Sequence, residues 1–197
     1  MIKYCLHIGI EKCASTYLKQ HIFPQWGSVI GINPLRKYKY NYLYEHPKEV
    51  NIISSEVLWR NTFVTDALVR GFDAKILMFV RDQRDFDKAY YIQKLTQEAI
   101  LPDPPKIDNM VDYYVEKYGY NILVLQLDHL KMYPEYTISR IAEFWGLPEI
   151  NAPNIILNKT IKSRYKVRLL EIIYKNKYLC RKFGGMVKKL PEIGKDY

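Results

Sequence analysis

The chain has 197 residues, 48% of them hydrophobic and 14% aromatic, with a formal net charge of +9. That length supports one domain with a full hydrophobic core, and no apolar run approaches the ~20 residues that a bilayer-spanning helix needs. The amino-terminal apolar stretch is too short for a secretory signal, so a cytoplasmic location is expected.

Residues 2–8, IKYCLHI, form an apolar run that ends at Gly9, as a buried parallel strand does. The loop after it nearly spells the phosphate loop G-x-x-x-x-G-K-[ST]. Ala14 replaces the second glycine, Lys12 comes early, and Ser15 stands where the lysine would be. Residues 15–23, STYLKQHIF, then fit a helix capped by Ser15 or Thr16 and ending before Pro24. A strand that delivers a tight loop into a helix start offers backbone amides and the positive end of a helix dipole to an anion. Lys12 adds a point charge, and Ser15 and Thr16 add hydroxyl donors. No apolar strand ends in the aspartate that would help hold Mg²⁺, which favours an anion bound without a required metal.

Residues 34–48 show neither helical nor strand period. Their segment RKYKYNYLY, 36–44, suits either the mouth of an active site, stacking on a sugar ring or an aromatic acceptor, or simply a surface helix. Residues 51–55, NIISS, read as a second buried strand. Glu56, just beyond it, would face the same edge as the loop, either to take a proton from an attacking hydroxyl or to cap the next helix. A helix over 64–72 stops near Gly71, and residues 74–80, AKILMFV, form a third strand that runs into Arg81. An arginine at the end of a buried strand needs an anion or a carboxylate. Ligands of open α/β sheets bind outside the carboxyl ends of the strands, so Arg81 and the loop should face one crevice. The simpler alternative pairs Arg81 with Asp82 or Asp85.

Helices are predicted over 85–100 and 107–118, a fourth strand over 121–127, and a helix from Pro134 that places Ile138, Ile141 and Trp145 on one stripe before Gly146 and Pro148 stop it. A last helical pattern, 161–183, has an apolar face with Ile161, Tyr165, Leu169, Ile172 and Leu179 and a basic face. Residues 159–197 hold 12 of the 30 Lys and Arg but only 3 of the 21 Asp and Glu, so the whole charge excess lies there. Such a segment fits an anionic partner or membrane surface, or simply a solvated helix face. Cys5 and Cys180 read as small buried apolar residues, whereas Cys13 is expected to be exposed within the loop. The alternation of strands and helices predicts an α/β fold, three-layer, with a mainly parallel sheet flanked by helices and a phosphate-loop-like opening. Residues 1–158 would form the domain, with 159–197 packed on it.

Taken in order, HIGIEKCASTYLK, NIISSE, VRDQRDFDKAYY and LVLQLDHL with ISRIAEFWGLP resemble the sulfotransferases that use 3'-phosphoadenosine 5'-phosphosulfate (PAPS), most of all their bacterial and glycan-modifying branches. The similarity covers most of residues 5–160. It implies the sulfotransferase fold and transfer of a sulfuryl group to a hydroxyl or amine of a glycan or small-molecule acceptor, leaving 3',5'-adenosine diphosphate. By this resemblance Lys12 contacts the phosphosulfate and stabilises the bridging oxygen, Cys13, Ala14, Ser15 and Thr16 hold the 5'-phosphate, and Arg81 grips the 3'-phosphate. Glu56 is the candidate base, although some family members use a histidine; His7, His21, His46 and His129 are available. Two departures stand out. Ala14 replaces the family's glycine, which requires a backbone that avoids positive φ, and Ala89 occupies the place of a phosphate-binding serine. The resemblance involves no nucleic acid and no metal, and it fixes no oligomeric state. The competing readings are a small nucleotide kinase with an altered loop and a catalytically weak relative that binds a membrane or partner through its basic carboxyl-terminal segment.

Overall fold

The computed structural model describes residues 2–10, 13–31, 48–93, 104–152 and Ile172. The chain divides into two compact units, one of Met1–Arg81 with Ile107–Leu157 and one of Asp82–Lys106 with Asn158–Tyr197.

The first unit holds the sheet. Five strands, β1 (Lys3–Gly9), β2 (Ser28–Gly31), β3 (Val50–Ser55), β4 (Lys75–Val80) and β5 (Ile122–Gln126), lie in the order β2-β3-β1-β4-β5. Every described pairing is parallel. Parallel strands covered on both faces need side chains that can be buried in succession. Leu6, Ile8, Ile52, Ile53, Ile76, Leu77, Met78 and Phe79 meet that need and are all buried. The runs around residues 2–8, 51–55, 74–80 and 121–127 therefore form strands as expected. The fifth strand, β2, was not anticipated.

The helix after the loop departs from expectation at both ends. Ser15–Tyr17 (α1), a π turn at Leu18–Ile22 and Phe23–Trp26 (α2) follow one another without a break, so helical structure passes through Pro24. Proline lacks an N–H, and its ring clashes with the carbonyl four residues back. The π turn avoids that conflict by widening the helix there, with the Phe23 N–H bonded to the Leu18 carbonyl. Neither Ser15 nor Thr16 caps the helix: the cap is Ala14, with no side-chain bond.

Helices α3 (Thr62–Phe72), α5 (Ile107–Tyr118), α6 (Leu127–Met132) and α7 (Pro134–Trp145) complete the first unit. Helix α3 stops near Gly71 as expected, with Asp73 in the left-handed conformation just after its last residue, Phe72. Asparagine 61 caps its start by accepting from the Val64 N–H at 3.2 Å. The Tyr114 hydroxyl of α5 donates to the Leu58 carbonyl at 3.1 Å. Helix α7 stops at Gly146, which takes the left-handed conformation at φ 61°, and Lys75 Nζ donates to the Phe144 carbonyl at 3.0 Å. The indole N–H of Trp26 donates to the Pro148 carbonyl at 2.8 Å, so the end of α2 is tied to the chain leaving α7.

In the second unit, α4 (Gln83–Gln93) is capped by Asp82, whose Oδ1 accepts from the Arg84 and Asp85 amides at 2.9 and 3.2 Å. Phe86 and Tyr90 stack in it, and the half-buried Ala89 lies between them in sequence. The predicted extension of this helix to residue 100, the segment 34–47 and the basic segment 159–197 lie outside the described residues, apart from Ile172, which is helical and 54% exposed. Cys180 also lies outside them.

Candidate active site

The carboxyl ends of β1, β3 and β4 set the geometry. In the register, Ile8 is level with Ser55 and Gly9 with Phe79, so Gly9, Glu56 and Arg81 leave the sheet at the same edge. Ligands of open parallel sheets bind at this edge.

Around Gly9 the side chains converge. A Cβ placed on Gly9 would lie 2.6 Å from Ser15 Oγ, 3.1 Å from Glu56 Cγ and 3.4 Å from His7 Cε1. Three polar side chains from β1, the helix start and the end of β3 thus border one point, and only glycine leaves room for them. The Ser15 hydroxyl is buried and has no hydrogen-bond partner among the described residues. A buried polar atom left in that state is costly unless a ligand completes it.

Ala14 adopts the left-handed conformation, φ 64° and ψ 11°. The expectation that alanine here requires a backbone without positive φ is therefore wrong: the loop keeps the turn that glycine would favour and carries the strain. A non-glycine residue held there costs of order 1–2 kcal/mol. The turn lets the chain enter the helix with the Ser15 and Thr16 amides ahead of the first ladder bond, Leu18 N–H to Ala14 carbonyl at 3.0 Å. Cys13 corrects a second expectation. Its side chain is fully buried, and its amide is committed within the loop, donating to the Ile10 carbonyl at 3.2 Å. Thr16 is exposed. Lys12 lies outside the described residues.

Glu56 occupies a turn and is half-buried. The capping alternative does not apply to it, because Asn61 caps α3. Arg81, also half-buried, follows the last residue of β4. Its positive charge helps hold the Asp128 carboxyl below its usual range, after the larger effect of the Lys131 hydrogen bond.

His7, one of the histidines available as a base, lies within the sheet. It is fully buried in β1, its Nδ1 lies 2.7 Å from Ser54 Oγ, and Phe23 packs edge-on at 5.2 Å. Burial, with the Lys19 charge adding to it, pushes its pKa down to about 3. The ring is therefore neutral and inaccessible to an acceptor. The available signal was a histidine inside an otherwise apolar strand, two residues before the loop glycine. His46 lies outside the described residues.

No protein-family model matches the chain, and no curated protein matches it in sequence. Solved structures do match its fold. The sulfotransferase from Alicyclobacillus acidocaldarius is similar with a TM-score of 0.52 and 12% identity, over 97% of each chain. Mouse sulfotransferase SULT7A1, complexed with PAP, is similar with a TM-score of 0.50 and 15% identity, over 76% of this chain. The chain spans 60% of the mouse protein. It has the sulfotransferase fold: a five-stranded parallel sheet flanked by helices.

Proposed function

We propose that the chain is a sulfotransferase that moves a sulfuryl group from PAPS to a hydroxyl or amine of a carbohydrate or small-molecule acceptor. The observation that carries this reading is the hollow at Gly9, bordered by Glu56 and by a buried Ser15 hydroxyl with no hydrogen-bond partner among the described residues, Ser15 opening a helix entered through a strained Ala14. An unsatisfied hydroxyl beside helix-start amides fits a phosphate oxygen. The PAP in the mouse neighbour supports the choice of nucleotide.

In this reading the Ser15 and Thr16 amides and hydroxyls hold the 5'-phosphate, with Cys13 and Ala14 shaping the loop. Lys12 neutralises the charge that grows on the bridging oxygen as the bond to sulfur breaks, and Arg81 holds the 3'-phosphate. Glu56 accepts the proton of the attacking hydroxyl as the new sulfur–oxygen bond forms. Ala89 offers no hydroxyl, so one hydrogen bond to the 3'-phosphate is forgone. Transfer of this type depends on in-line positioning and charge neutralisation, which amides, lysine and arginine supply without a required metal.

Isothermal titration with 3',5'-adenosine diphosphate tests the reading. The unaltered protein should bind it, and Lys12→Ala or Arg81→Ala should each weaken binding at least tenfold, as loss of a charge-assisted contact does at about 1.5–3 kcal/mol. Absence of binding by the unaltered protein would sink it.

A further inference from the structure

This inference rests on the sulfotransferase reading and concerns what aligns its anion loop. Two buried side-chain atoms beside the loop lack a hydrogen-bond partner among the described residues, Ser15 Oγ and His7 Nε2. Both side chains border Gly9, at 2.6 Å and 3.4 Å from the point its Cβ would take. The imidazole is held at its other nitrogen by Ser54, 2.7 Å away on the neighbouring strand, and by the edge of Phe23.

A neutral imidazole has one donor and one acceptor nitrogen. If Ser54 donates to Nδ1, Nε2 carries the proton and becomes a donor in search of an acceptor. A serine hydroxyl has two lone pairs and a single proton. An N–H donated into Ser15 Oγ satisfies both buried atoms at once and leaves the Ser15 proton to be given elsewhere. The geometry points to His7 as a positioning residue for the anion loop: Ser54 fixes the ring with its proton on Nε2, and Nε2–H donates to Ser15 Oγ in the ligand-bound loop, so that the Ser15 hydroxyl proton is aimed at the bound phosphate. A charged lysine or arginine at this place would have to be buried without a counter-ion, and an aliphatic residue would leave the hydroxyl free to turn away. The arrangement also accounts for glycine at position 9, since any side chain there would stand between the two partners.

A double-mutant cycle separates this role from simple packing. His7→Asn keeps a polar group near the Nδ1 position and removes Nε2, while His7→Gln places its amide nearer Nε2. Titrated with 3',5'-adenosine diphosphate, His7→Asn should bind about tenfold more weakly than the unaltered protein, with His7→Gln recovering most of the loss. In a Ser15→Ala background the His7→Asn change should cost nothing further. Equal losses in both backgrounds would overturn the inference while leaving the sulfotransferase reading intact, whereas an unaltered protein that binds no nucleotide overturns the reading itself. Histidine ¹⁵N spectra of the unaltered protein give a test that needs no variant. A neutral ring protonated on Nε2, with its resonance moving when 3',5'-adenosine diphosphate is added, is expected; a proton on Nδ1 overturns the assignment.

Discussion

Gly9 and Ser15 are locked together by space: a methyl group on Gly9 would sit 2.6 Å from Ser15 Oγ, closer than any real contact, with Glu56 Cγ 3.1 Å away on another side. Gly9→Ala should therefore push the Ser15 side chain off its position and lower stability by ~1–3 kcal/mol, the usual range for overpacking a filled site. Chemical denaturation measures the loss, and combining the change with Ser15→Ala should restore part of it. A Gly9→Ala protein as stable as its parent would contradict the close approach.

Ala14 makes the opposite prediction. Its φ of 64° is a conformation that glycine adopts freely. Ala14→Gly should release the strain and, after the greater freedom of glycine in the unfolded chain, leave a net gain of ~0.5–1 kcal/mol. A thermal melt should rise by about 1–4 °C for a chain of this size. A lowered melting temperature would show that the alanine methyl makes contacts worth more than the strain.

Acid stability should depend on His7. Its folded pKa, about 3, lies below the ordinary value of 6.5, so the unfolded chain takes up this proton first as pH falls. The stability held by the neutral ring is complete above pH 6.5 and is lost below it, at up to ~1.4 kcal/mol per pH unit until the folded value is reached. Denaturation at pH 7.5, 6 and 5 should show a steeper decline for the unaltered protein than for His7→Asn. Parallel pH profiles would mean that the ring is not held neutral.

A second acid-sensitive point lies between α3 and α5. The Asp66 carboxylate accepts hydrogen bonds from Lys117 Nζ and the Tyr118 hydroxyl. Burial alone would raise its pKa, but the Lys117 and Tyr118 bonds outweigh burial and hold it below the usual 3.8. Its contribution is present above pH ~4 and disappears as pH falls through the lowered folded value. Asp66→Asn should be less stable near neutral pH and should lose less on acidification from pH 5 to 2. A variant that follows the parent curve at every pH would remove Asp66 from the account.

How much of this was legible in the residues varies by element. Buried parallel strands announce themselves because both faces must be apolar, so Leu6–Ile8 and Ile76–Val80 could be read directly. Strand β2 could not, since its four residues, Ser28–Gly31, are half-buried or exposed and carry no periodic signal. Pro24 read as a stop because an ordinary α-helix cannot accommodate it; the π turn before it is a solution that composition does not reveal. At the site, the edge shared by Gly9, Glu56 and Arg81 followed from strand ends alone, and Asn61 removed the capping alternative for Glu56. The setting of His7 was hidden because its hydrogen-bond partner, Ser54, lies 47 residues away, and the left-handed turn at Ala14 runs against the preference of its own residue type.

The bond from the Trp26 indole to the Pro148 carbonyl spans 122 positions of the chain, and it bears on how the protein is made. At ~5–20 residues per second, roughly 6–24 s pass between synthesis of the helix that opens the candidate site and synthesis of the residue that secures it. During that interval β1, the centre of the finished sheet, lacks β4 and then β5 to one side, and the apolar stretch Leu6–Ile10 is without its cover. The packing around the helix that follows Gly9 is thus completed late in translation, well after the residues that border the hollow at Gly9 have been made.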